Sequence, residues 1–329
     1  MYNQLFIEFL FIFMEVGTGH FYYLIDYLQT MLIDAHIHMW NRLMLPNEAV
    51  KNYMEPMLKF KEMYGGLMDF GLDEITPFVD YDVPISEPLD TLDANNLDYA
   101  VVLGTDFELI GEGKMSNEEY IDWLFERCSI DDRFVPFISV DPNRGEEAIR
   151  MIERLVKKYS PKGIKMYPAT GYYPDESRLD PYWDLVEDLG LVVTTHAGMA
   201  LSPLDEKYCH PCNLARVAEK HPDMKIIVAH LGGKFYKELF PLMDSHDNVY
   251  TDCSALQGWV FEDKGMIDSR LSEVTKRYPK RVVFGTDFPL YDASTSTMQF
   301  LRIIKEGRWG NEKVKEDLLG NNMARVLGL

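Results

Sequence analysis

Cysteine is scarce in this sequence, with four in 329 residues, at Cys128, Cys209, Cys212 and Cys253. So few, so widely spread, cannot frame a chain of this length with disulfides, and a reducing, cytoplasmic setting is expected. Cys209-His210-Pro211-Cys212 has the spacing of a metal knuckle. No second C-x-x-C or H-x-H pair is free to complete a structural zinc site, so the tetrad reads as a loop leading into a helix near Asn213. Positive charge is short as well: 33 Lys and Arg stand against 53 Asp and Glu, a net charge of −20. Such a surface repels phosphate backbones and anionic lipid, which argues against nucleic-acid and membrane partners. It also makes any Lys or Arg at an active site conspicuous. Self-association is left open. No glycine-rich dinucleotide fingerprint follows the first apolar strand, which argues against an open doubly wound sheet. Internal repeats, low-complexity tracts and domain linkers are missing too.

Long apolar runs are also lacking. The first thirty residues are rich in Phe, Tyr, Leu and Ile, but Glu8, Glu15 and Asp26 interrupt them. They are too charged to span a bilayer and have neither the basic start nor the small-residue cleavage site of a signal peptide. Met31 then opens MLIDAHIHMW in the manner of a natural protein start. Residues 1–30 are therefore expected to be an extension outside the domain formed by 31–329, with a helix packed against that domain as the alternative. An intact terminus at Met1 in natively expressed protein would rule out an artefactual upstream start.

What is present is the balance of a globular rather than a disordered protein, 47% hydrophobic and 26% charged, enough for a sizeable core. From Leu32 onward, short β-branched runs alternate with amphipathic helical stretches. The predicted strands are Leu32–His36, Tyr99–Leu103, Phe134–Val140, Gly163–Tyr167, Leu191–His196, Lys225–His230, Asn248–Thr251 and Arg281–Gly285. Runs such as AVVLG and KIIVAH are apolar throughout, as strands covered on both faces are. Helical patterns fall between them, including Glu146–Tyr159. Eight strand–helix units joined by right-handed crossovers close into a (β/α)₈ TIM barrel. Residues 39–88 are too long for a plain connection and form an insertion after the first strand, expected over the C-terminal mouth.

Three of the eight histidines, His36, His196 and His230, end predicted strands, and His38 lies two residues past the first. Strand ends of one polarity converge on a single mouth in a barrel. His36 and His38, two apart in extended chain, share a face and form a ready chelate for zinc or a similar ion. LVVTTHAG, KIIVAHLGG and RVVFGTDFP are each a buried strand ending in a polar group, namely His196, His230 and Asp287. Any one such histidine is as readily a structural group bonded to a carbonyl. Together, in barrel order, they point to a metal centre.

The motifs DAHIH, THAG, AHLGG, FGTDFP and the terminal GNNMARVLGL resemble the amidohydrolase superfamily, in particular the branch with aminocarboxymuconate-semialdehyde decarboxylase and resorcylate-type decarboxylases. The resemblance runs from about Leu32 to the C-terminus. It implies a TIM barrel with one divalent metal, zinc by ligand type, held by His36, His38, His196 and Asp287. His230 would be the catalytic acid/base, and Asp287 would also accept a proton. Asp34 is expected to hold an imidazole in place.

Lys165, on predicted strand four, is expected to hold a substrate carboxylate rather than bridge two metals. Arg144 and Arg178 are further candidate anion clamps, Tyr167 is a substrate contact, and Trp40, Trp259 and Tyr291 are candidates for an aromatic wall. Asp252 and Ser254, after strand seven, are candidates to face the mouth. The first functional expectation is a hydrolase that cleaves a C–O or C–N bond of a small anionic organic acid through a metal-activated water. The alternative is a metal-dependent decarboxylase or hydratase of a similar acid. A third, a metal-binding scaffold without catalysis, is disfavoured by the complete ligand set.

Overall fold

The computed structural model describes residues 31–44, 83–111, 113–200, 203–259, 264–292 and 295–329. Both residues 1–30 and most of the expected insertion, 45–82, lie outside the described residues. So do the side chains of Trp259 and Lys264.

Eight parallel strands run in the order 1 to 8, each hydrogen-bonded to the next. They are β1 (Ile33–Ile37), β2 (Tyr99–Leu103), β3 (Phe134–Ser139), β4 (Gly163–Met166), β5 (Val192–Thr195), β6 (Ile226–Val228), β7 (Val249–Asp252) and β8 (Val282–Val283). The ring closes between first and last: Ala35 N–H donates to Phe284 O at 2.8 Å, and Ile37 bridges Phe288 in parallel. This is the expected (β/α)₈ barrel. The helices that follow the strands in turn are α1 (Ser86–Asn95), α2 (Asn117–Cys128), α3 (Glu146–Tyr159), α4 (Asp180–Asp188), α5 (Ala215–Lys220), α6 (Tyr236–Ser245), α7 (Lys264–Arg277) and α8 (Thr297–Glu306). A further short helix, α9 (Glu312–Glu316), leads through a π turn into α10 (Asn322–Leu327).

Local sequence explains these elements. Helix α2 starts on a capping box in which Ser116 accepts from Glu119 N–H and the Glu119 carboxylate accepts from Ser116 N–H. Helix α3 covers the predicted span, with Ala148, Met151, Ile152 and Leu155 on its buried face and the charges turned outward. Ile33, Ala35, Val101, Leu103, Phe137, Ile227 and Val283 fill the inside of the barrel, closed below by Met323, Val326 and Leu327 of α10. A larger apolar layer lies between strands and helices. The π turn passes so close to the backbone just before β1 that a Cβ on Gly320 would lie 1.7 Å from Met31 O. Only glycine fits there.

Strand β1 departs from regular alternation. Asp34 pairs with Ala100, but Ile37 pairs with Val102, so β1 spends one residue more than β2 over this stretch. Such a bulge re-aims the side chains beyond it. Below it, Ile33 and Ala35 belong to the barrel interior. Above it, Ile37 belongs to the outer layer. His36 and His38 are thereby turned toward the mouth.

Candidate metal centre

His36 and His38 leave the end of β1 with their Nε2 atoms 3.2 Å apart. Asp287 stands beside them, with Oδ1 3.3 Å from His36 Nε2 and 3.4 Å from His38 Nε2. Backbone bonds fix the three together: Asp287 N–H donates to His36 O at 2.7 Å, and His38 N–H donates to Phe288 O at 2.8 Å. Asp287 and His230 both adopt the left-handed backbone, with φ of 59° and 60°. Non-glycine residues are held that way mainly where a site demands it.

The tautomers follow from the partners. His36 Nδ1 is 2.8 Å from Asp252 Oδ2, and His38 Nδ1 is 2.9 Å from Leu103 O. Both partners only accept, so each Nδ1 carries the proton and each Nε2 offers a lone pair. His196 is reversed: its Nε2 donates to Met199 O at 3.0 Å, leaving Nδ1 bare. His230 Nδ1 bonds Ser254 Oγ at 2.8 Å, and its Nε2 lies 3.2 Å from His196 Nδ1. Burial is the largest cause that holds all three of His36, His196 and His230 below the ordinary histidine range, His196 at about 3. Protonation of these three rings is therefore disfavoured near neutral pH.

Lone-pair atoms gathered at 3.2 to 3.4 Å repel one another unless a cation meets them; the Lys165 ammonium, 3.3 Å from His36 Nε2, meets one of the three, and a metal ion among them would meet all. Two donors of one tetrahedral zinc are about 3.3 Å apart when each bond is about 2.0–2.1 Å. The set fits a divalent ion in both spacing and chemistry. The tightest group is His36, His38 and Asp287, which belong to one candidate metal group. His196 joins through His230, with ring centroids 5.0 Å apart, and stands outside that triangle. His36, His230 and Asp252 form a second candidate group. There the imidazole donates to the carboxylate, so that contact is satisfied without an ion.

Asp252 holds the centre in place. Its Oδ2 takes the His36 proton, and its Oδ1 accepts from the backbone N–H of His230 at 2.8 Å and of Ser254 at 3.0 Å. A carboxylate behind a ligand imidazole fixes ring orientation and raises its basicity. The expectation gave this task to Asp34, and the structure corrects it. Asp34 accepts from His36 N–H, Thr286 N–H and Thr286 Oγ. It ties β1 to the β8 exit and touches no imidazole, because the bulge puts it and the His36 ring on different sides. Burial, the largest cause, raises the Asp34 carboxyl to about 7.

Loops β5 and β6 bring their histidines together by close backbone approach. A Cβ on Gly233 would lie 2.9 Å from Gly198 Cα, and both glycines have positive φ. The glycines of the THAG and AHLGG motifs thus let two loops touch.

Lys165 is buried on β4, with Nζ 3.3 Å from His36 Nε2. Burial, the largest cause, lowers its ammonium to about 8. Tyr167 stacks on His196 at 4.3 Å and 9° between planes, and Trp40 stacks on His38 at 4.8 Å and 14°. These expected substrate contacts are brought to the centre. Arg144 and Arg178 are engaged elsewhere. Arg144 forms a fork on Asp106 and also pairs with Glu108, and Arg178 meets Glu176 and Asn143. Arg144 is matched by two acids of the segment after β2, and Arg178 by an acid of its own loop. Tyr291 sits after β8 against Gly258, and the Trp259 side chain lies outside the described residues. All four cysteines are free, Cys209 buried and Cys212 exposed, with His210 Nδ1 accepting from Cys212 N–H. The tetrad was expected to be a loop; instead it joins two short 3₁₀ helices, Glu206–Cys209 and Pro211–Leu214, that lead into α5. Among the described residues no helix is long and apolar enough to cross a membrane.

The same arrangement of strands recurs in solved structures. An amidohydrolase from Burkholderia multivorans with bound zinc is 14% identical, with a TM-score of 0.64 over 91% of this chain and 99% of that one. The 5-carboxyvanillate decarboxylase of Novosphingobium aromaticivorans, complexed with manganese and a nitrobenzoic acid, is 16% identical, with a TM-score of 0.63 over 91% and 96%. The 4-oxalomesaconate hydratase of Rhodopseudomonas palustris is 14% identical, with a TM-score of 0.54 over 91% and 96%. Among curated proteins no sequence matches. The family model that matches is that of the amidohydrolases, and it runs from residue 33 to residue 329, over the whole barrel and every group of the centre; the chain belongs to the amidohydrolase family.

Proposed function

We propose that this enzyme hydrolyses a C–O or C–N bond of a small anionic organic acid. The observation that carries the reading is the gathering of His36 Nε2, His38 Nε2 and Asp287 Oδ1 within 3.4 Å of one another, with the His196–His230 pair beside His36. A divalent ion held by His36, His38, His196 and Asp287, zinc by donor type, would supply Lewis acidity and make water nucleophilic near neutral pH.

The chain's own groups supply the rest. His230 keeps its proton on Nδ1, so its Nε2 accepts the proton of the attacking water. The water oxygen forms a bond to the carbonyl carbon, the bond to the leaving oxygen or nitrogen breaks, and the proton on His230 passes to that atom. Asp287 serves the same proton path from the other side. The Lys165 ammonium, 3.3 Å from His36 Nε2, holds a substrate carboxylate. The Tyr167 and Trp40 rings wall the space beside His196 and His38.

A second reading is non-oxidative decarboxylation, favoured by the likeness to a decarboxylase that carries manganese. The two differ in what His230 must do, since hydrolysis needs a base and decarboxylation needs a proton donor to carbon. The bare Nε2 favours the base. Lactones, esters, amides and carboxylated aromatics assayed in parallel for carbon dioxide and for hydrolytic product decide between them. Hydrolytic product without carbon dioxide is expected, and carbon dioxide alone would reverse the order. Lys165→Met should raise KM for a carboxylate substrate far more than for its ester, and equal effects would remove the anion-holding role.

A further inference from the structure

We infer that Ser254 is a positioning residue that fixes the tautomer of His230, a reading that rests on His230 being the acid/base group. Ser254 Oγ has one hydrogen and three neighbours: Asp252 Oδ1, His230 Nδ1 at 2.8 Å and His36 Nδ1 at 3.2 Å. The Asp252 contact is the closest, and a carboxylate oxygen only accepts. His36 Nδ1 already carries a proton for Asp252 Oδ2. The serine hydrogen therefore goes to Asp252, and the oxygen keeps only lone pairs for His230. His230 must then donate from Nδ1, which leaves its Nε2 bare and aimed at the cluster.

The alternative tautomer has a waiting partner. If His230 carried its proton on Nε2, it would donate to the bare Nδ1 of His196 at 3.2 Å. That arrangement would remove the base and occupy the His196 atom proposed to hold the metal. Ser254 is what tips the choice, because it gives Nδ1–H a buried acceptor whose own hydrogen is already committed. Neither the sequence motif nor the ligand set assigns this serine a task. Its position two residues past the end of β7 brings it under the imidazole, and Asp252 anchors it through both N–H and O–H.

The test reads the tautomer directly. Ser254→Ala removes one atom from a fully buried site, and Ser254→Thr keeps the hydroxyl. Nitrogen-15 chemical shifts at pH 8 of the protein freed of metal by chelator, which leaves His196 Nδ1 open, with the His230 signals assigned by their loss in His230→Asn, separate the Nδ1–H and Nε2–H forms. Nδ1–H is expected in the parent and in Ser254→Thr, and Nε2–H in Ser254→Ala. The alanine variant should also lose about 100-fold in kcat, within the scale of general acid–base help, and threonine should restore most of it. An unchanged Nδ1–H signal in Ser254→Ala overturns the inference even where His230→Asn is inactive. A fully active His230→Asn overturns the acid/base reading while the tautomer result stands on its own.

Discussion

His36, His38, His196 and His230 are chemically alike, and their hydrogen-bond partners divide the work among them. A carbonyl or carboxylate behind one ring nitrogen sends the lone pair of the other into the centre. Substitutions should therefore separate by partner. His230→Asn is expected to leave metal content nearly intact while lowering kcat by roughly two to four orders of magnitude. His36→Asn or His38→Asn should empty the site, since two neighbouring donors no longer chelate. Metal content and rate measured on the same preparations decide it. An empty site in His230→Asn beside a full one in His196→Asn would mean the two roles are exchanged. Much of this was legible in the sequence, because a histidine or aspartate at the end of an apolar strand can only face a barrel's mouth. The task of Asp34 was misread for a definite reason. Spacing places Asp34, His36 and His38 on one face, and a single extra residue in β1 cancels that alternation.

Strands and their exits show where pattern reading stops. The end of RVVFG was expected in β8, yet the ladder to β7 is only Val282–Val283. Phe284 gives its N–H to Leu318 O in the π turn and its carbonyl to Ala35 N–H. Its apolar character was right, but its hydrogen bonds serve barrel closure. The exit of β3 carries a testable pH effect. Asp141 is buried, one carboxylate oxygen has no partner, and burial, the largest cause, raises its carboxyl to about 6 from an ordinary 3.8. The folded chain thus holds this proton more tightly than the unfolded one. Its contribution to stability is full below about pH 4 and is lost as pH rises through about 6. Asp141→Asn keeps an acceptor for Asn143 N–H and carries no charge. Its stability relative to the parent should climb between those limits by roughly 2–3 kcal/mol and then level off. Denaturant melts of both proteins across that range check it, and a pH-independent difference would contradict it.

The molecule as a whole is strongly acidic, with 53 acidic against 33 basic residues, and its proposed substrate is an anion. Long-range repulsion should slow their encounter, and the buried Lys165 acts only after entry. Salt screens such repulsion over a Debye length of about 10 Å at 0.1 M. kcat/KM for the anionic substrate should therefore rise with ionic strength between 10 and 150 mM, roughly twofold or more. An uncharged ester should show no such rise, and a fall for the acid would point to a locally positive approach. The barrel itself was legible because eight apolar runs, each followed by room for a helix, admit few other closures. The substrate was not, because the residues that shape the approach lie in loops whose sequence carries no period. The most direct test of the metal centre is elemental analysis of protein purified without chelator or added metal. One divalent ion per chain is the predicted result. A metal-free protein with full activity would contradict the account.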